Sequence, residues 1–139
     1  MNKSTVKNWI LKAENDLKTG KDELATGNPA TDTVCFHMQQ CAEKCLKAFL
    51  VFHNLEIRKT HDIAELIELC TQVDPEFEYL LDLKVDELTK YAIEIRYPDD
   101  FYFPSIDESR HAVELAQQVK DFVLKKLQIN GGEEISPEL

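Results

Sequence analysis

Two stretches of the chain hold side chains whose types and spacing could do chemistry. The first, EIRYPDDFYFPSID at residues 94–107, sets Arg96 beside Tyr97, Pro98, two aspartates and the aromatic triplet Phe101, Tyr102 and Phe103. Arginine is a permanent cation with a flat fork of donors that suits phosphate or carboxylate. The second, FHMQQCAEKCLKAFL at residues 36–50, has helical spacing. At 100° per residue, His37, Gln40, Cys41, Lys44 and Lys47 fall within an arc of about 120°. Arg58, Lys59, Thr60 and His61 follow shortly downstream. Together these form a site for an anionic group, with lysine as a point charge and glutamine and histidine as donors. Lys44 and Lys47 serve equally well as solvated helix surface, and His37 as a helix residue with a local partner.

Each of the other groups also has two uses. Arg96 can bind an anion, or can sit as a cation at a helix C-terminus paired with Asp99 or Asp100. The aromatics can stack bases, or can fill a core end or a dimer interface, where Tyr and Phe are enriched. His37, Cys41 and Cys45 stand at i, i+4 and i+8, but i to i+8 covers about 12 Å of helix, too far for one small ion. No C-x2-C pair occurs, so the cysteines are not a zinc-ribbon pattern; no metal site is expected, and no cofactor. Cys35, Cys41, Cys45 and Cys70 read as buried thiols of a reducing compartment.

These residues must be positioned by a chain of 139 residues, a length that suits one domain with a core of its own. The opening MNKSTVKNWILKAENDLK lacks the apolar run of a signal peptide, and no stretch approaches the ~20 apolar residues of a membrane span. The expected address is the cytoplasm. The net charge of -10 is uneven: residues 1–60 carry nine Lys/Arg against seven Asp/Glu, and residues 61–139 carry seven against nineteen. An acidic surface repels phosphate backbones, which excludes nonspecific nucleic-acid binding over the whole molecule and leaves room for a local basic patch in the first half.

The apolar periodicity is helical throughout. Val6, Ile10, Ala13, Leu17, Gly20 and Leu24 define one face. After TGNPATD, a second and more apolar segment spans about Ala30 to Asn54, wide-striped enough to be the central helix. Asp62 and Glu65 resemble a capping pair before a short helix with Ile63, Leu66, Ile67 and Cys70. A fourth helix is expected from Glu76 to Arg96, ended by Pro98, and a fifth from about Ser105 to Leu127. The expectation is an all-α, up-and-down antiparallel bundle of four long helices plus one short one, residues 1–127, followed by a flexible acidic tail, 128–139.

FHMQQCAEKCLKAFLVFHNLEIRKTHDIAEL resembles the signature of the HEPN domain, which pairs an FHxQQAxEKxLKA helix with a KTHDL turn. YAIEIRYPDD is similar to that family's EARYPD segment, and the likeness covers roughly residues 5–127. It implies a helical homodimer of bacterial or archaeal origin. It also implies a neighbouring minimal nucleotidyltransferase, as in toxin–antitoxin pairs, which can modify a tyrosine near the arginine, here Tyr97 or Tyr102. Some members are metal-independent ribonucleases with an Arg-x4-6-His motif, and others bind nucleotides or partner proteins. Counted from Arg96, that histidine would occupy 101, 102 or 103, where the chain has Phe101, Tyr102 and Phe103. Histidine suits the proton transfers of RNA cleavage because its pKa lies near 6.5, whereas tyrosine titrates near 10. The expectation is therefore a module that binds a nucleotide or a nucleotidyltransferase partner. Its ligand residues are His37, Gln40, Lys44, Lys47, His61 and Arg96. The alternatives are a divergent ribonuclease toxin using Arg96 on RNA, and a helical adaptor without a ligand.

Overall fold

The computed structural model describes residues 3–92 and 102–131, with side chains as far as Gln128. Helix α1 (Lys3–Leu24) turns Val6, Ile10, Ala13, Leu17 and Gly20 inward, the periodic face read from the sequence. Helix α2 (Thr31–Phe52) buries residues around most of its circumference and packs against α1, α3 (Ile63–Val73) and α5 (Ile106–Gly131). It is the central helix that its wide apolar stripe requires. The pairing of α1 with α2 is antiparallel: Trp9 lies opposite Lys47, Asp16 opposite Lys44 and His37, and Gly20 opposite Met38. At Gly20 the Met38 side chain of α2 packs directly on the α1 backbone. A Cβ there would sit 2.2 Å from the Met38 methyl, so only glycine fits without a shift. Helix α5 runs antiparallel to α1, tied by Lys120 to Glu14 at 3.3 Å and by Lys21 to Gln117 at 2.6 Å.

Helix α3 starts as expected. The Asp62 carboxylate accepts from the backbone N–H of Ala64 at 3.0 Å and of Glu65 at 3.4 Å. Glu65 does not close the reciprocal half of the pair. Its carboxylate takes Arg58 at 3.2 Å and the Thr60 hydroxyl at 3.4 Å, which folds the preceding turn onto the helix start.

The single fourth helix expected from Glu76 to Arg96 is not what forms. The described part is a 3-10 turn at Pro75–Phe77, a five-residue helix α4 (Glu78–Asp82) and a 3-10 segment at Val85–Tyr91. The break is Lys84, whose φ of 64° is left-handed. Leu80, Val85 and Leu88 are all fully or almost fully buried. In a continuous helix, Val85 would point about 140° away from Leu80. Reversing the chain at Lys84 aims Val85 back at the core and leaves the lysine outside. The fold class is nevertheless the expected one, an all-α bundle, with no strand among the described residues.

Phe77, in the first 3-10 turn, joins the layers. Its ring lies 4.3 Å from Phe49 of α2 and 4.9 Å from Phe122 of α5. All four cysteines are buried free thiols. Leu127 is fully buried, and the α5 backbone continues to Gly131, beyond the expected boundary at 127. No helix among the described residues is long and apolar enough to cross a membrane.

Candidate functional site

The polar arc of α2 meets two acids. Asp16 projects from α1 and is nearly buried. One of its oxygens lies 2.8 Å from His37 Nδ1, and the other accepts from Lys44 Nζ at 2.6 Å. One turn along α2, Glu43 is 4% exposed. Its Oε2 accepts from Lys47 Nζ at 2.8 Å, and its Oε1 lies 2.8 Å from His61 Nδ1. Gln39 Nε2 donates to Glu43 Oε1 at 3.0 Å and to the His61 carbonyl at 3.1 Å, while Gln40 donates to Gln39 Oε1 at 2.7 Å. Burial alone would raise the Glu43 carboxyl, but the donors Lys47, His61 and Gln39 outweigh it and hold it below the usual carboxylate range. Lys47 also lies over the Trp9 ring, 5.9 Å from its centre.

Five of the expected ligand residues therefore fall into two hydrogen-bonded groups along α2: His37 and Lys44 on Asp16, and Lys47, His61 and, through Gln39, Gln40 on Glu43. Electrostatically the lysines are balanced, since Lys44 faces Asp16 and Lys47 faces Glu43. A phosphate at either lysine would have to displace a carboxylate. The two histidines differ in access: the His37 side chain is 26% exposed and that of His61 is 65% exposed. Arg96 and Tyr97 lie outside the described residues.

Tyr102 belongs to a second cluster. Its hydroxyl and that of Tyr91 both donate to the Glu108 carboxylate, which also lies 3.7 Å from Lys90 Nζ. Burial would raise Glu108, and the two phenols together with Lys90 hold it low. Glu108 gives its backbone N–H to Ser105 Oγ at 3.0 Å, so the residue that opens α5 also gathers Tyr91 and Tyr102, one on each side of residues 93–101. Burial pushes the neighbouring Cys35 thiol up to about 12, so it is not a nucleophile at neutral pH. Among the described residues, no group of histidine, cysteine and carboxylate ligands could hold a metal ion.

The HEPN domain profile matches residues 6–127, nearly the whole bundle. The chain belongs to the HEPN domain family. A Methanocaldococcus jannaschii protein named "Putative toxin" is 33% identical over an alignment of 100 positions that covers 68% of this chain and 64% of that protein. The chain thus spans a little under two thirds of that relative's length. A crystal structure of a protein from Thermus thermophilus is 30% identical and superposes with a TM-score of 0.69 over 91% of this chain and 99% of that one. The crystal structure of an archaeal HEPN homologue is 26% identical, with a TM-score of 0.64 over 88% of this chain and 97% of the other.

In this HEPN domain the residues that sequence reasoning missed are the acids. Asp16 left a signal, being a carboxylate one residue from Leu17 in the buried stripe of α1. Glu43 left another, standing four residues before Lys47 in the orientation that favours an ion pair. Glu108 left a third, following Ser105 at capping-box spacing.

Proposed function

We propose that this HEPN domain is the toxin-side member of a two-protein system. In this reading it is a cytoplasmic homodimer that docks a minimal nucleotidyltransferase and takes a nucleotide or RNA beside Arg96. One observation carries the docking. Tyr102, Phe103 and Ile106 expose 57%, 68% and 45% of their surfaces within five residues at the start of α5. Large apolar side chains exposed this close in sequence on a small bundle support an interaction site, and Tyr and Phe are enriched in interfaces. The toxin name of the archaeal relative supports the pairing. For the anion, Lys44 and Lys47 already have carboxylate partners. In this reading Arg96, His61, His37 and Gln40 are the residues that would meet it. Tyr102, and Tyr97 beside Arg96, are the candidate acceptors for modification by the partner.

Co-purification with the adjacent gene product and sedimentation velocity test this reading. A dimer that captures a nucleotidyltransferase, and loses it on Phe103→Glu with Ile106→Glu, is the expected result. A monomer that captures nothing, and whose melting nucleotides leave unchanged, would sink it.

A divergent metal-independent ribonuclease toxin built on Arg96 is the second reading. It is favoured by the imidazole of His61, which faces solvent on a buried carboxylate. Induction should then arrest growth and cleave cellular RNA, and Arg96→Ala should abolish both. An adaptor without a ligand instead predicts a tight dimer indifferent to nucleotides and RNA.

A further inference from the structure

We infer that the cleft between the chain leaving α2 and the C-terminal half of α3 is a peptide-docking site. Its occupant is an extended segment of a partner protein, with an apolar side chain in the cleft and an acidic one toward Arg58 and Lys59. This surface is separate from the start of α5. Tyr91 and Glu108 lie beside Cys35 near the first turn of α2, whereas the cleft meets that helix at Leu50, about 22 Å farther along.

Asn54, at a left-handed φ of 58°, turns the chain out of α2. Leu55 to Arg58 then run without helix or turn. The Leu55 N–H donates to the Leu50 carbonyl at 2.9 Å and the Thr60 N–H to the Arg58 carbonyl at 2.9 Å, which fixes the segment at both ends. It forms one wall of a cleft of about 380 Å³, and Leu69, Gln72 and Val73 of α3 form the other. Leu55 and Val73, one on each wall, are apolar side chains left 41% and 38% exposed. Apolar side chains kept open around a concavity are the mark of a binding site.

The first wall also offers main chain. The backbone N–H groups of Glu56, Ile57, Arg58 and Lys59 have no partner among the described residues, and neither do the carbonyls of Leu55, Glu56, Ile57 and Lys59. No residue from 55 to 60 has a left-handed φ. A run of free donors and acceptors is what the edge of a sheet presents, and an added strand satisfies it. A helix keeps its backbone bonds to itself, and a small amphipathic acid would leave most of these groups unpaired. The free main chain therefore selects an extended peptide. Charge sets its direction. Glu56 is exposed on the same wall, Lys59 is exposed without an ion pair among the described residues, and Arg58 is held only by its exposed pair with Glu65 at 3.2 Å. The wall is negative at Glu56 and positive at Arg58 and Lys59, so an acid of the occupant belongs at the second end.

The test is selection from a random peptide display library on the full chain, followed by fluorescence anisotropy with the enriched peptide made synthetically. Enriched sequences should combine apolar residues at alternate positions with an acid. Leu55→Glu and Val73→Glu, each at an exposed site and each checked for unchanged melting, should weaken binding at least about tenfold by putting a charge on an apolar wall. Leu55→Ser and Val73→Ser, milder changes, should each give a smaller loss. Arg58→Glu with Lys59→Glu should weaken binding most at low salt. Methylating alternate backbone nitrogens of the peptide keeps every side chain and removes N–H donors, and should cost about tenfold. Phe103→Glu with Ile106→Glu should leave binding unchanged. The inference falls if no sequence is enriched, if binding survives the Leu55 and Val73 substitutions, or if methylation has no effect. It also falls if binding is lost only with the Phe103 and Ile106 substitutions, which would seat the peptide at the start of α5.

Discussion

The Lys47 ammonium lies 2.8 Å from the Glu43 carboxylate with both side chains almost wholly buried. Removing one partner leaves the other charge without compensation, at a cost of about 3–5 kcal/mol. Glu43→Ala should therefore lower the unfolding free energy by about that much. Glu43→Leu combined with Lys47→Met should cost far less, because no lone charge remains. Urea titrations of the three proteins decide it, and a Glu43→Ala loss under about 1 kcal/mol would count against a charged pair in the core.

Phe77 joins α2 to α5 through its two ring contacts, whereas Tyr79 stacks on Phe122 from the outside with half its surface exposed. Phe77→Ala should cost about 3–5 kcal/mol by removing a buried ring. Tyr79→Ala should cost clearly less. Equal losses in denaturant midpoint would mean that the 3-10 turn does not anchor the helices.

His53 closes α2 with its ring 4.5 Å from that of Phe49 and 5.2 Å from that of Phe52. Its Nε2 is buried without a hydrogen-bond partner among the described residues. Burial pushes its pKa below the ordinary histidine range, against the smaller opposing pull of Asp74. The folded state thus resists a proton that the unfolded chain accepts near pH 6.5, so this group's contribution is whole above that pH and falls as the solution is acidified toward the depressed value. The drop in urea midpoint between pH 7.5 and 5.5 should be smaller in His53→Gln than in the wild type. An identical drop would show that His53 is not the source.

Tyr91 and Tyr102 share the Glu108 carboxylate, but Tyr91 is half-buried and Tyr102 exposed. Tyr91→Phe should cost about 1 kcal/mol, the usual value of a hydrogen bond kept from water. Tyr102→Phe should leave the melting temperature unchanged. The reverse order would move the anchor of Glu108 to the exposed phenol.

How much the sequence reveals depends on the distance over which a feature is set. The cap of α3 is legible because Asp62 needs only the backbone two and three residues on. The stripe of α1 and the width of the α2 stripe are legible for the same reason, and so are the motifs that place the chain in the HEPN family. The fourth helix expected from Glu76 to Arg96 misled because Leu80, Leu81, Leu88 and Tyr91 have helical spacing, and Val85 conflicts with it. The polar arc of α2 was visible, but its meaning was not. Asp16 lies 28 residues from Lys44, and His61 lies 18 from Glu43. Pairings of that range arise from packing, and they turn an apparent cationic face into a neutral one.

The four cysteines also make this chain its own clock. Burial raises the Cys35 and Cys70 thiols, and the hydrogen bond to Cys41 together with burial raises Cys45, so reactive thiolate is scarce while the bundle is closed. A thiol reagent in solution must wait for the helices to part. The rate at which it consumes each sulfur then counts openings: Cys41 and Cys45 report on the centre of α2, Cys35 on the end held by Tyr91, and Cys70 on α3. Four sites along one chain would tell whether the bundle opens as one piece or frays from an end, without any label having to be built in.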